Sequence, residues 1–286
     1  MKKILLALLG SVLCLSLVAC GSDKESNNKE EIIKKEFIPT EQVVVDNENY
    51  YIKLIGNKAD NYWGYAFTAD FENKSVDITY EIMIDFVAIS GIEAECPLYV
   101  KLGPGEKATK KIELTTYLLE HHGVTEFTDV ELIFEIHDVN DSYANDKKIQ
   151  TNIYPCGAEN AANYVRELQP NDDVIIDNEY IKIYYTGYKQ EELMGYLVYF
   201  HVVNKTDHIA TFNVNESLLN GHKVNSYLGD LINPGKSSFE TMHFSTDVLA
   251  ENNIKNIKKI ELVFSVNIMG GESSKEVFND KITIKP

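Results

Sequence analysis

The chain has 286 residues, 44% of them hydrophobic and 25% charged, and a formal charge of −17. That mixture excludes a wholly disordered chain and suits a protein with one or two buried cores, two being the better fit to the length. Acidic side chains number 44 against 27 basic, and Arg166 is the sole Arg, so phosphate backbones are repelled and the forked donors that read them are missing; no nucleic-acid partner is expected.

From the start, Lys2 and Lys3 precede a run over 4–19 that is apolar but for Gly10, Ser11 and Ser16, too short to span a bilayer comfortably. It reads as a secretory signal over residues 1–19. Its end, Leu17-Val18-Ala19-Cys20-Gly21, resembles the lipobox of bacterial lipoproteins. That resemblance implies cleavage before Cys20, a diacylglycerol on its sulfur and a chain held at the extracytoplasmic face of the cell membrane. Each buried CH₂ of an acyl chain contributes about 0.8 kcal/mol, so two or three chains suffice as an anchor. Loss of residues 1–19 removes two Lys and no acid, leaving 25 basic against 44 acidic side chains, or −19. Residues 20–31, with Ser22, Asp23, Ser26, Asn27 and Asn28, carry little to bury and read as a flexible tether.

Beyond the tether the sequence repeats. Gly64-Tyr65-Ala66-Phe67-Thr68-Ala69-Asp70-Phe71-Glu72-Asn73-Lys74 returns 131 positions later as Gly195-Tyr196-Leu197-Val198-Tyr199-Phe200-His201-Val202-Val203-Asn204-Lys205. Tyr65, Phe67, Ala69 and Phe71, like Tyr196, Val198, Phe200 and Val202, alternate at the period of a strand with one face in a core. The echo extends outward: Val44-Val45-Asp46-Asn47-Glu48 matches Ile175-Ile176-Asp177-Asn178-Glu179, Pro104-Gly105 matches Pro234-Gly235, and Leu132, Phe134 and Ile136 match Leu262, Phe264 and Val266. A period this long is a duplicated domain rather than a solenoid, whose repeats run to about 20–50 residues. We therefore divide the chain into 32–153 and 164–286, joined by a linker over 154–163. Each half holds a complete set of strands, so each is expected to fold alone with few contacts to the other.

In the second copy the pattern predicts strands over 173–177, 180–186, 194–204, 208–218, 222–228, 236–244, 257–268 and 276–285. Asn220-Gly221 and Asn233-Pro234-Gly235 are turn sequences. A short helix is predicted over 246–251, with 115–120 at the same place in the first copy, and a short helical approach follows the linker, where Tyr164, Val165 and Leu168 have helical spacing. The fold class is all-β: two tandem immunoglobulin-like β-sandwiches, each with one short helix, a small barrel being the alternative. Two such copies behind a lipobox resemble the telokin-like, immunoglobulin-like domains of unknown function found in many Gram-positive lipoproteins. That resemblance rests on organisation over 17–286 and carries no active site with it.

Chemistry-bearing motifs are sparse. Cys96 and Cys156 are the candidate disulfide pair, although Cys96 aligns with Ser226 and the second copy has no counterpart of Cys156. His121-His122 end the first short helix and read as solvated, and His201, opposite Asp70 in the alignment, reads as surface. The acidic loop over 138–146 lacks the sixth-position Gly and closing Glu of an EF-hand, so no metal and no cofactor is expected. Asp46-Asn47-Glu48 and Asp177-Asn178-Glu179, like Asn73-Lys74-Ser75 and Asn204-Lys205-Thr206, read as turns. Trp63, Tyr184, Tyr185 and Tyr188 are the candidate ligand contacts if exposed, strand aromatics being more often core. Without a catalytic constellation the expected function is non-enzymatic: a lipid-anchored binding or assembly module for a protein or polymer of the cell envelope. An envelope hydrolase using carboxylates such as Glu93 and Glu95, or a solute receptor, are the alternatives.

Overall fold

The structure is a computed structural model that describes residues 41–286 apart from 61–63, 125–126, 142–145 and 271–272. The signal, Cys20, the tether and Trp63 lie outside the described residues. No described helix is long and apolar enough to cross a membrane.

The described residues are all-β with three short helices. The first copy supplies β1 (Glu41–Asp46), β2 (Tyr50–Asp60), β3 (Gly64–Asn73), β4 (Tyr80–Ile89), β5 (Ile92–Glu93), β6 (Tyr99–Leu102), β7 (Lys107–Thr115), α1 (Tyr117–His121), β8 (Val130–Asp138) and β9 (Lys147–Ile153). After α2 (Ala158–Ala161) the second copy repeats that order: β10 (Asp173–Asp177), β11 (Ile181–Glu191), β12 (Gly195–Asn204), β13 (Ile209–Leu219), β14 (His222–Val224), β15 (Gly229–Ile232), β16 (Ser237–Phe244), α3 (Thr246–Glu251), β17 (Ile260–Gly270) and β18 (Ser273–Ile284). Of the strand expected over 222–228 only β14 forms, and β15 follows just beyond it, both pairing with β13. Of the linker only 158–161 is helical; Tyr164, Val165 and Leu168 follow in irregular chain.

The irregularities are duplicated along with the strands. Bulges interrupt β1 between Val43 and Val45 and β10 between Val174 and Ile176, and β2 at Gly56 and β11 ahead of Gly187, both glycines with positive φ. A bulge re-aims alternate side chains; those of β1 and β10 fall at matching residues, and those of β2 and β11 one pair apart. The β4–β5 and β13–β14 turns are Ser90-Gly91 and Asn220-Gly221, all four with positive φ, the geometry that matches the twist of a two-residue hairpin.

Packing follows the alternation. Tyr65, Phe67, Phe71, Leu132, Phe134 and Ile136 lie in one buried cluster and Tyr196, Val198, Phe200, Leu262, Phe264 and Val266 in another. Each cluster sits between sheets: Phe71 on β3 meets Phe134 on β8 edge-to-face at 6.3 Å, and Phe200 on β12 meets Phe264 on β17 at 5.7 Å. This is sandwich-like packing, in which each such ring contributes roughly 2–3 kcal/mol of burial.

One sheet belongs to both copies. β1, β2, β3 and β7 form a four-stranded sheet, and β13, β14, β15, β17 and β18 a five-stranded one. The remaining sheet runs β10-β11-β12-β16-β5-β4-β8-β9, with β6 beside β4. Its seam is the parallel pairing of β16 with β5, where Ser237 stands opposite Ile92 and its N–H donates to Gly91 O at 3.1 Å. The β4–β5 hairpin thereby covers what would be an open edge of the second copy.

Candidate functional site

The repeated polar residues are hydrogen-bonded into the fold. Asn73, at the end of β3, is 1% exposed, and its Nδ2 donates to the carbonyls of Ile78, Leu102 and Gly103 at 2.7, 3.0 and 3.0 Å. Asn204 does the same with His208, Ile232 and Asn233. One amide NH2 thus serves three carbonyls, two in loops and one at the end of β6 or β15. In the turns, Asn47 Oδ1 accepts from the N–H groups of Asn49 and Tyr50, and Asn178 Oδ1 from those of Tyr180 and Ile181. Lys74 then bonds Asp46, and Lys205 bonds Asp177. These motifs are turn clamps built twice.

The two copies differ where they meet. On the outer face of the second copy, rings stack in the order His122, Phe239, His201, Tyr184, with centroid separations of 4.4, 4.6 and 5.6 Å and interplanar angles of 13°, 25° and 18°. His122 comes from the end of α1 in the first copy; the other three come from β16, β12 and β11. Lys182 Nζ lies 4.9 Å over the Tyr184 ring, and the Arg166 guanidinium lies 5.1 Å over Phe239. Arg166, on the chain entering the second copy, forks onto Asp172 at 2.7 and 3.3 Å and donates to His122 O at 3.1 Å. Asp172 also accepts from Gln169 N–H at 2.7 Å. This ion pair is deeply buried, the side chains being 7% and 1% exposed.

His122 and His201 therefore depart from the sequence reading, which placed both in solvent. They are 4% and 6% exposed. The covering surface comes from another part of the chain in each case, which local periodicity does not register. Burial, with the neighbouring His121 and Arg166 charges, holds His122 down to about 4; burial and Arg166 hold His201 down to about 3. Neither ring nitrogen of His201, nor Nε2 of His122, has a hydrogen-bond partner. A visible signal was available: along β12 Leu197, Tyr199 and Val203 are apolar on the face where β3 has Ala66, Thr68 and Glu72, the mark of a strand covered on both sides.

On the other side of the seam carboxyl groups gather. Glu93 accepts from the N–H and Nδ2 of Asn233 at 2.7 and 3.0 Å, and Lys236 Nζ bonds Glu131 at 2.6 Å. Burial raises Glu93 and Asp129 above the usual carboxylate range. Burial, reinforced by Asp230 and Glu93, pushes Glu240 up to about 7 against the lowering influence of its bond from Ser238 Oγ at 2.6 Å. Of the carboxylate pair named from sequence, Glu93 joins this seam and Glu95 pairs by a backbone bridge with Thr115.

The candidate contact tyrosines do not form one platform. Tyr184 is buried in the ring stack, Tyr185 faces the core beside Phe200, and Tyr188, past the bulge, is 50% exposed and stacked on Tyr196 at 4.8 Å. Burial raises Tyr185 to about 12. Cys96 and Cys156 are not joined in a disulfide, and burial pushes the Cys96 thiol up to about 12, far from a reactive thiolate. In the acidic loop, Asp138 caps Asn140 N–H at 2.9 Å and Asp146 bonds His137 Nδ1 at 2.7 Å. Residues 142–145 lie outside the described residues, among which no three ligating side chains converge on a metal position. Shallow clefts of about 500 and 390 Å³ open beside Gly195 and α3 and beside Tyr164 at the linker.

No family model matches the chain, and no curated protein matches its sequence. Solved structures with partial likeness include the YadV chaperone, at 12% identity and TM-score 0.23 over 76% of this chain and 91% of that one. Red sea bream transglutaminase matches at 7% identity and TM-score 0.23, over 78% of this chain and 29% of that one. The 7S globulin of Momordica charantia matches at 10% identity and TM-score 0.15, over 85% and 81%. Scores this low carry no argument about what the chain does.

Proposed function

We propose that the chain is a lipoprotein anchored through Cys20 at the extracytoplasmic face of the cell membrane, serving as a non-enzymatic binding or assembly module. On this reading two tandem immunoglobulin-like sandwiches, 32–153 and 164–286, are presented on the 20–31 tether to a protein or polymer of the envelope. The observation that carries it is the sheet shared by both copies, together with the buried Arg166–Asp172 strap. A partner touching the loops of both copies then meets surfaces whose relative placement is already fixed, and the entropy of ordering them is not charged to binding. The lipobox supplies the address, and the acidic side chains favour solubility of the body above the membrane.

Crosslinking in intact cells followed by purification of the chain tests this reading. A defined envelope component is expected with the wild type, and Cys20→Ser should release the chain to the medium and lose that component. An unchanged membrane fraction for Cys20→Ser, with no component recovered from either, contradicts it.

A further inference from the structure

The junction contains two buried imidazoles, one from each copy. His122 and His201 lie on opposite faces of Phe239, His122 being the contribution of the first copy and the other two rings that of the second. A neutral ring stacks there as an apolar disc. An imidazolium needs acceptors for both N–H groups, and both nitrogens of His201 and Nε2 of His122 have none.

None of the charged groups facing the stack bonds these nitrogens. From the α1 end comes His121, and from the chain entering the second copy come Arg166 and Asp172. From β11 comes Lys182 over Tyr184, while β12 adds Tyr199 and β16 adds Phe239. Asp172 is the facing anion, but its Oδ2 already accepts from Arg166 and Gln169 and its Oδ1 from Arg166. The Arg166 charge over the same Phe239 ring repels any second cation. Across the seam stand Glu93, Asp129 and Glu131 from the first copy and Asp230, Lys236 and Glu240 from the second.

We propose that the His122–Phe239–His201 stack is an acid-released clasp: proton uptake by either imidazole separates the rings, admits water and frees the two copies to move independently. The direction follows from which form the closed junction favours. The imidazoles contribute fully above about 6.5, and their contribution is lost as pH falls through about 4 for His122 and about 3 for His201. Glu240 works in the opposite sense, contributing fully below 4.5 and losing its contribution as pH rises through about 7. Glu93 and Asp129, also raised by burial, act in the same sense as Glu240, so the carboxyls oppose the imidazoles as pH falls and the clasp opens only because the two imidazoles outweigh them.

Hydrogen exchange on the full chain in detergent reads this out. The Ser237 N–H bonded to Gly91 O reports the seam, and the Phe264 N–H in the second core is the reference. Between pH 6.5 and about pH 4 the protection of Ser237 relative to Phe264 should fall at least about tenfold. In the double variant His122→Phe, His201→Phe, where only the carboxyls respond, it should hold or rise. Unchanged wild-type protection, or an equal fall in the double variant, overturns the proposal. Should that variant not fold, the imidazole C–H resonances of the wild type decide. The proposal requires them to titrate together with the loss of protection, and imidazoles that stay neutral while protection falls overturn it.

Discussion

β3 and β12 are the same strand twice, and their inner faces are interchangeable while their outer faces are not. On β3, Asp70 accepts from Thr109 Oγ1 at 2.6 Å and Glu72 pairs with Lys107 at 3.0 Å, a polar surface facing solvent. On β12 and β16 the corresponding positions are His201, Phe239, Val203 and Ser237, all but Val203 buried. Duplication has preserved what folds a copy, namely the core, the bulges and the Asn clamps, and has altered one face. An edge and face that are polar in one copy and aromatic in the other mark where the second copy is covered by something outside itself. Here the cover is the α1 end, the β4–β5 hairpin and Arg166 on the chain entering the second copy.

The largest effect is expected from Arg166→Ala, which strands Asp172 as a buried unpaired charge and uncovers Phe239; we expect a loss of about 4 kcal/mol in denaturant unfolding. A loss under about 1 kcal/mol would mean that the strap is not part of the lock. Next, Asn73→Ala and Asn204→Ala each leave three carbonyls without their donor and should cost about 3 kcal/mol, equally, because the clamp belongs to the shared part of the copies. Unequal losses would break the claim that this part is interchangeable. Phe239→Thr, which installs the residue of the first copy, should cost about 2–3 kcal/mol, while the reverse change Thr109→Phe on the exposed face should stay within about 0.5 kcal/mol. Smallest of all, a chelator should leave the melting temperature unmoved, since the second copy repeats the plan without the 138–146 loop.

Most of the shared part was legible in the sequence. The alternation of β3 and β12 gave the core, and the strand over 173–177 and the helix over 246–251 stand where turn and capping residues put them; Ser245 caps α3 through a bond from Val248 N–H at 3.3 Å. These are local signals, set by steric period and by residues whose side chains bond their own backbone. The junction was not legible by those means. The burial of His201 depends on α1 and on Arg166, 80 and 35 positions away, and its alignment with Asp70 argued for solvent. Tyr184, named as a ligand contact, is consumed by the same stack. The two-sided apolar run from Tyr196 to Val203 was the one clue, and it appears only when β12 is compared with β3 rather than with an ideal strand.

The central claim is that the altered face, and not the linker alone, joins the copies. It is tested most directly by calorimetry of the full chain carrying His201→Asp and Phe239→Thr together, the two residues of the first copy placed in the second. The wild type should unfold in one cooperative transition, and the double variant in two resolved transitions, each with the enthalpy of a domain of about 120 residues. A single transition at an unchanged midpoint in the double variant would contradict the account, since the ring stack would then contribute nothing to holding the halves as one unit.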